Sequence, residues 1–142
     1  MITTELKSAG VEERPVQEFG EGWIQAITAG ALDRLEGFCD GKITGRLLIP
    51  AGLVSITSVA DLIAEYRGWF GECSDFTVET SRVAKVGEKL GISYQFLLQD
   101  HGDWYRIEQH LFCVLKDGRV HSLYLLCSGF QPVPAQGQPA SC

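Results

Sequence analysis

The stretch over residues 106–130, RIEQHLFCVLKDGRVHSLYLLCSGF, decides the fold of this chain. Two runs rich in apolar and aromatic residues flank a Lys-Asp-Gly-Arg segment. An Asp-Gly pair between two such runs is a strong signal for a hairpin with a two-residue turn. The stretch therefore predicts two long antiparallel strands that turn at Asp117 and Gly118.

The turn also predicts which side chains share a face of the sheet. Directly opposed residues in an antiparallel pair point to the same side. The predicted pairs are Lys116 with Arg119, Val114 with His121, Phe112 with Leu123, His110 with Leu125, and Glu108 with Cys127. On this register Glu108, His110 and Cys127 cluster in the middle of the sheet, although a single bulge would reverse the assignment of faces.

Upstream of the hairpin, the apolar pattern predicts more strands. Residues 76–86 and 91–99 alternate with period two and predict two long strands. Residues 42–50 predict a shorter strand that Pro50 stops, and residues 54–58 predict a second short strand or a loop. Together with the hairpin, these segments supply the strands of one antiparallel sheet.

Helical spacing dominates the first part of the chain. A first helix is predicted over residues 16–28, because Pro15 suits a helix start and Trp23 and Ile27 recur at helical spacing. A short second helix is predicted over residues 31–39. Both helices carry an apolar stripe, which indicates that each packs on a core.

A third helix is predicted after Ser58, a candidate N-cap residue. Asp61 occupies the acidic position of a capping box, and Gly71 marks the end of the helix. The order is helix, helix, short strand, helix and then four long antiparallel strands. This order predicts an α+β domain in which the helices pack on one face of a curved sheet.

The domain is predicted to span residues 15–131. Residues 1–14 are polar and mixed in charge and are predicted to form a flexible N-terminal arm, with a short leading helix as the alternative. Residues 132–142 are rich in Pro, Gln and Gly and are predicted to form a flexible C-terminal tail. A chain of 142 residues is long enough for one domain with a proper core.

Composition and charge exclude several classes of function. The hydrophobic fraction is 45% and the charged fraction 21%, which is typical of a globular protein rather than a disordered one. The net charge is −6, with twelve scattered basic residues, which argues against a nucleic-acid or membrane partner. The apolar runs are too short for a transmembrane helix, and no secretory signal is recognisable.

The five cysteines indicate reduced thiols in a cytoplasmic protein. Their number is odd and no two have CxxC spacing, which argues against a disulfide scaffold and a zinc ribbon. The DHGDW segment over residues 100–104 could suggest a metal site. Adjacent ligands in an extended chain cannot all point at one ion, so a polar turn is preferred and no metal is predicted.

The order of elements resembles the nuclear transport factor 2-like fold, which includes SnoaL-like polyketide cyclases, ketosteroid isomerase, scytalone dehydratase and limonene epoxide hydrolase. Three motifs carry the resemblance, which covers residues 16–131. They are W..AI..G.LDRL at the opening, WF at the end of the third helix, and V.KDGRV..LYLLCSGF.P at the end. None of the three is a catalytic signature.

The resemblance implies a cone-shaped, curved antiparallel sheet with three N-terminal helices packed on its concave face. It further implies an apolar pocket open at one end and a homodimer formed through the outer sheet face. In limonene epoxide hydrolase an acidic pocket residue lies on the last strand, and the matching position here is Leu125, which argues against a hydrolase. The predicted pocket residues are Trp23, Ile27, Tyr66, Trp69, Phe70, Tyr94, Phe112, Leu123 and Leu125.

Three residues are the candidates for catalysis. A carboxylate at Glu108 and an imidazole at His110 could move a proton near neutral pH, with His110 also a donor to an enolate oxygen. Cys127 could act as a nucleophile if His110 lowered the pKa of its thiol. Tyr66 and Tyr94 are further hydrogen-bond donors. The alternative is structural: an ion pair for Glu108, an interface or core position for His110, and a core position for Cys127.

The predicted function is that of a cofactor-independent enzyme that isomerises, cyclises or dehydrates an apolar or polycyclic small molecule. Proton transfer at Glu108 and His110 would carry the reaction. The alternative is a non-catalytic module of the same fold, in which the polar groups of the pocket only orient a ligand or support a dimer. A cluster that points into open volume favours the enzyme, and one that lies in a filled core or a dimer seam favours the binding module.

Overall fold

The computed structural model describes the backbone of residues 4–134 and the side chains of residues 15–134. The chain opens with helix α1 (Thr4–Thr28), a short 3₁₀ helix (Leu32–Phe38), and strands β1 (Cys39–Ile49) and β2 (Gly52–Ile56). Helix α2 (Val59–Phe70) precedes β3 (Cys73–Val86), β4 (Lys89–Asp100), β5 (Asp103–Lys116), β6 (Arg119–Cys127) and β7 (Gln131–Pro132). The predicted C-terminal tail lies mostly outside the described residues, since 135–142 are not among them.

The seven strands form one curved, unclosed sheet in the order β2-β1-β6-β5-β4-β3, with β7 paired to β5. Strands β3 to β6 are antiparallel neighbours, as predicted. Strand β1 pairs with β6 in parallel, so the sheet is mixed rather than purely antiparallel. The predicted α+β class, a cone-like sheet with three helices, is confirmed.

Helix α1 is longer than the sequence predicted. It begins at Thr4 rather than at residue 16, and Pro15 lies inside it. A proline removes one hydrogen bond within a helix, but here it does not end the helix. The first part of α1 therefore lies in the predicted N-terminal arm, and the flexibility of that arm stays a prediction.

A glycine sets the distance between α1 and the sheet. A Cβ atom added at Gly20 would lie 2.4 Å from Cγ2 of Val83 in β3. Real Cβ atoms do not approach a neighbour that closely, so only glycine fits here without a shift. Trp23 and Ile27, on the same helix, are buried.

Helix α2 begins and ends where the sequence predicted. The Ser58 hydroxyl accepts a hydrogen bond from the Asp61 backbone N–H at 3.1 Å. The Asp61 carboxylate accepts one from the backbone N–H of Thr57 at 3.0 Å, which is a variant of the capping box one residue further out. Gly71 is the C-cap residue, and its N–H donates to the carbonyl oxygen of Arg67.

A bulge in β6 overturns the predicted register of the β5–β6 hairpin. Asp117 and Gly118 form the expected turn, with φ angles of 54° and 78°, and Lys116 pairs with Arg119 as predicted. Val114 then pairs with Ser122 rather than His121, because the ladder shifts by one residue. The observed pairs beyond the bulge are Cys113 with Leu123, Phe112 with Tyr124, Leu111 with Leu125, His110 with Leu126, and Gln109 with Cys127.

The shifted register turns the predicted faces of β5 around. Gln109 is fully buried and faces the helices, whereas Glu108 and His110 lie on the outer face of the sheet. Phe112 also lies on the outer face, where 47% of its side chain is exposed. The predicted grouping of Glu108, His110 and Phe112 with Cys127 on one inner face is therefore wrong, since Cys127 is buried.

Candidate functional site

Aromatic side chains fill the space between the helices and the concave face of the sheet. Tyr66 and Tyr94 each expose no more than 1% of their surface, and their rings contact neighbouring aromatic rings. Most of the predicted pocket residues lie in this interior. The buried members are Trp23, Ile27, Tyr66, Phe70, Tyr94, Leu123 and Leu125, while Trp69 is half-buried and packs against them.

A chain of hydrogen bonds runs through this aromatic interior. The indole N–H of Trp23 donates to the Tyr66 hydroxyl at 3.2 Å, and the Tyr66 and Tyr94 hydroxyls are 3.0 Å apart. Tyr94 donates to Oε1 of Gln109 at 2.5 Å, and Nε2 of Gln109 donates to Sγ of Cys127 at 3.2 Å. Five side chains from α1, α2, β4, β5 and β6 are thus linked in sequence.

The hydrogen bonds of this chain all run in one direction. A tyrosine hydroxyl has one proton, and Tyr94 uses its proton on Gln109. The proton between the two hydroxyls must therefore come from Tyr66. Both phenolic protons are committed within the protein, so a ligand oxygen can take one only if a link of the chain opens.

The electrostatics of the interior keep these groups neutral. Burial raises the pKa of Tyr66 and of Tyr94 well above that of an ordinary phenol. Among the described residues, Gln109 is the only buried one with a side chain that is neither hydrophobic nor aromatic. The described interior therefore contains hydrogen-bond donors and acceptors but no buried carboxylate or imidazole that could act as a base.

A partly open cavity of about 230 Å³, with both polar and apolar surface, lies at one end of this interior. Its lining comes from the ends of α1 and α2, the start of the 3₁₀ helix and the start of β3. The lining residues are Ile27, Gly30, Leu32, Arg67, Phe70, Gly71, Cys73 and Phe76. Arg67 is paired with Asp33 at 2.7 Å, and Phe70 stacks on Tyr66, so one ring separates the cavity from the hydrogen-bond chain.

The structure brings Glu108 and His110 together, but outside this interior. Oε2 of Glu108 lies 2.7 Å from Nε2 of His110, and their side chains are 52% and 40% exposed. Cys127 lies on the opposite face, where its Sγ accepts hydrogen bonds from Gln109 and from the backbone N–H of Gly129 at 3.4 Å. The three predicted catalytic residues therefore do not form one cluster.

A groove of about 250 Å³ lies beside this pair on the outer face of the sheet. Strands β3, β4 and β5 form it, and their register places Arg82, Ser93 and His110 side by side. Ala84 and Gly91 form its floor, and Val86 and Phe112 its apolar walls.

Two further histidines make contacts with acids. Nε2 of His101 lies 3.0 Å from Glu72 and its Nδ1 lies 2.7 Å from Asp100, which joins the β4–β5 turn to the start of β3. The donor atoms of these three residues lie within 4.8 Å of one another, although the DHGDW segment supplies only two of them. His121, the bulge residue of β6, lies 3.1 Å from the Asp40 carboxylate.

Gln109 is the site residue that sequence reasoning did not identify. One signal could have found it: the alternate positions Ile107, Leu111 and Cys113 carry no charge, whereas the other face of β5 carries Arg106, Glu108 and His110. A strand buries its uncharged side in an antiparallel sheet packed on helices.

Comparison with known proteins shows the fold but no close relative. No family model and no curated protein matches the sequence. A nuclear transport factor 2-like protein of unknown function from Burkholderia xenovorans has a TM-score of 0.61 and 19% identity, over 88% of this chain and 90% of that one. A putative polyketide cyclase from Xanthomonas campestris has a TM-score of 0.65 and 14% identity, over 80% and 90%.

A third similar structure is a hypothetical protein from Catenulispora acidiphila with a ketosteroid isomerase-like fold, in complex with trimethylamine. Its TM-score is 0.65 at 13% identity, over 88% of this chain and 96% of that one. No helix of the described residues is long and apolar enough to cross a membrane. The element order, the curved sheet and these likenesses agree that the chain has the nuclear transport factor 2-like fold.

Proposed function

We propose that this chain is a small-molecule-binding module that holds an apolar ligand between its helices and the concave face of its sheet. The observation that carries the proposal is the cavity of about 230 Å³ lined by Ile27, Leu32, Phe70 and Phe76. Apolar and aromatic side chains beside a few polar groups are typical of small-ligand sites. Arg67 and Cys73 are the polar groups at the edge of this cavity.

The hydrogen-bond chain supports binding rather than catalysis at this site. Its two tyrosine protons are committed, and the described interior lacks a buried base. Proton abstraction needs a base within hydrogen-bond reach of the substrate. The ligand that suits the site is apolar and aromatic, with one oxygen that could reach Tyr66 if Phe70 moves aside.

The thiol of Cys73 gives a direct test of this site. Cys73 lines the cavity and is half-buried, whereas Cys39, Cys113 and Cys127 are buried. The test probe is 2-naphthol, a small aromatic alcohol, and the readout is the alkylation rate of Cys73 measured by mass spectrometry. We expect 2-naphthol to slow the alkylation of Cys73 in a saturable manner.

A matched pair of variants separates binding from unspecific effects. Leu32→Trp fills the cavity and should abolish the protection by 2-naphthol, whereas Val78→Trp changes an exposed residue that does not line the cavity and should preserve it. If 2-naphthol leaves the rate unchanged in the wild-type chain, or protects Cys73 equally in both variants, the cavity is not the ligand site.

A second candidate function is a cofactor-independent isomerase, cyclase or dehydratase. The contact of 2.7 Å between Glu108 and His110 favours it, since a carboxylate–imidazole pair can move a proton near neutral pH. The reaction would then take place on the outer face of the sheet. Cys127 would take no part in it, because its side chain is buried on the opposite face of the sheet.

Solvent exchange tests this second candidate. An active pair should accelerate the exchange of the α-protons of a cyclic ketone in deuterium oxide, measured by NMR. Glu108→Gln and His110→Ala should abolish the acceleration, and Glu88→Gln, which changes an exposed acid in the β3–β4 turn, should preserve it. The absence of any acceleration would leave the binding module as the function.

The proposed partner is a second copy of this chain in the cytoplasm. Large apolar side chains stand exposed on the outer face of β2, β1 and β6, at Leu53, Leu48, Tyr124 and Leu126. Monomeric proteins rarely leave such a contiguous apolar face uncovered. A twofold interface brings the same surface patch of both copies together, so two copies of this apolar face could cover each other.

A further inference from the structure

We propose that the groove on the outer face of β3, β4 and β5 is a second ligand site, and that it binds an aromatic carboxylate. This site is separate from the cavity between the helices and the sheet. It also lies beyond the apolar half of the outer face, on β2, β1 and β6, to which we assign the partner chain. The proposal does not require Glu108 and His110 to be catalytic.

The charge balance of this part of the sheet leaves a cation free for an anionic ligand. Nε of Arg106 contacts Glu79 at 2.6 Å and its second nitrogen contacts the same carboxylate at 3.0 Å. Glu108 is paired with His110. The side chain of Arg82 is exposed and makes no hydrogen bond or ion pair with any residue that the structure describes. The nearby acids are thus occupied, and Arg82 is not.

The positions of the polar groups suit a carboxylate. Arg82, Ser93 and His110 are cross-strand neighbours, and adjacent strands lie about 4.8 Å apart. A guanidinium binds a carboxylate through two parallel hydrogen bonds, which a point charge cannot do. The Ser93 hydroxyl and Nδ1 of His110 remain available to the same ligand, because Glu108 engages only Nε2 of His110.

The next row of the groove suits an aromatic ring. Ala84, Gly91 and Phe112 are cross-strand neighbours, so small residues form the floor and the Phe112 ring stands at one wall. Val86 supplies the other apolar wall. The φ angle of Gly91 is not positive, so other residues could adopt its backbone conformation. A larger side chain at this position would fill the floor of the groove.

Benzoate is the test probe, and the readout is the shift of backbone amide signals in the full-length, isotope-labelled chain. We expect saturable shifts at Gly91, Ser93 and Phe112, and no such shifts with benzyl alcohol, which has the ring but no charge. Arg82→Gln should weaken benzoate binding about tenfold, as the loss of a charge-assisted hydrogen bond predicts.

Two variants control for unspecific attraction and for misfolding. Arg46→Gln removes another cation of the same outer face, outside the groove, and should leave the affinity for benzoate unchanged. Gly91→Val keeps Arg82 and fills the floor, and its Cβ would meet neighbours only at 3.6 Å and beyond, so the fold should persist while binding is lost. If benzoate causes no saturable shift, or if Arg46→Gln weakens binding as much as Arg82→Gln does, the groove is not a carboxylate site.

Discussion

At the scale of single residues, the series of hydrogen bonds that runs from Trp23 to Cys127 is the most distinctive feature of the interior. Tyr94 lies in the middle of this hydrogen-bond series, where its hydroxyl accepts a hydrogen bond from Tyr66 and donates one to Gln109. Such an arrangement is costly to interrupt, because a buried polar group that loses its partner also lacks water.

Tyr94→Phe should destabilise the protein by about 1–3 kcal/mol, the usual cost of a buried polar group left without its partner. The variant removes the donor to Gln109 and the acceptor of Tyr66 while it preserves the ring. Urea unfolding gives the free energy. Tyr105→Phe is the control, since the hydroxyl of Tyr105 makes no hydrogen bond with the described residues, and a loss as large in this variant would contradict the explanation.

The buried thiols predict a loss of stability at alkaline pH. Burial raises the pKa of Cys39 and of Cys113 to about 12, and that of Cys73 to about 11, from the ordinary value of 9.0. An acid with a raised pKa in the folded state holds its proton after the unfolded chain has lost it. Stability is therefore fully present below pH 9 and should fall as the pH rises from about 9 to 12.

Unfolding by urea at a series of pH values measures this alkaline decrease. Cys39→Ala and Cys113→Ala each remove one of the titrating groups and should make the decrease above pH 9 shallower. Each variant also leaves a small cavity, which lowers stability at every pH and so does not affect the slope. An unchanged slope in both variants would show that other groups cause the decrease.

At the scale of the elements, two glycines in helices have opposite roles. Gly20 in α1 faces Val83 so closely that a methyl group would collide with it. Gly68 in α2 is exposed, and a Cβ atom added there would meet no neighbouring atom within 4 Å. The effects of a substitution by alanine on stability should therefore differ in sign between the two positions.

Gly20→Ala should destabilise the protein by about 1–3 kcal/mol, because overpacking forces α1 away from β3. Gly68→Ala should stabilise it by roughly 0.5–1 kcal/mol, since alanine is the better helix former in an exposed position. Thermal and urea unfolding of the two variants check both signs. Two shifts in the same direction would mean that α1 does not depend on this close approach.

The elements themselves were largely predictable from the sequence, because their signals are local. The hairpin turn at Asp117 and Gly118, the Ser58 cap and the order of helices and strands all follow from residues close in the chain. The start of α1 was not predictable in this way, since Pro15 is compatible with a first turn and here lies inside the helix.

The inner face of β5 was predicted wrongly because of the bulge in β6, whose extra residue contacts a residue distant in the chain. His121 is the extra residue, and its ring lies 3.1 Å from Asp40, which is 81 positions away in the chain. The pairing of β1 with β6 also shifts at this place. One hint was local: the buried residues Val120 and Leu123 are three positions apart, which breaks the period of two.

At the scale of the whole molecule, the two faces of the sheet carry different chemistry. The concave face holds the aromatic interior and its neutral hydrogen-bond chain. The outer face divides into an apolar half on β2, β1 and β6 and a half with paired and free charges on β3, β4 and β5. A sequence pattern with period two predicts that two faces exist, but not which of them meets the helices once a bulge intervenes.

The apolar half of the outer face leads to the last prediction, which concerns the partner chain. The exposed fractions of Tyr124 and Leu126 are 56% and 50%, and their burial against a second copy would remove apolar area from water. Sedimentation equilibrium should give the mass of a dimer for the wild-type chain, and Leu126→Glu should shift it to the mass of a monomer.

Val78→Glu is the matched control for this shift. Val78 is also an exposed apolar residue, 42% accessible, but it belongs to β3 at the other end of the sheet. The added charge alone should therefore leave the dimer intact, and the melting temperature of this variant should still rise with protein concentration, as it does for any folded dimer. A wild-type chain that sediments as a monomer at every concentration, or two variants that dissociate equally, would contradict the assignment of this face to a second copy.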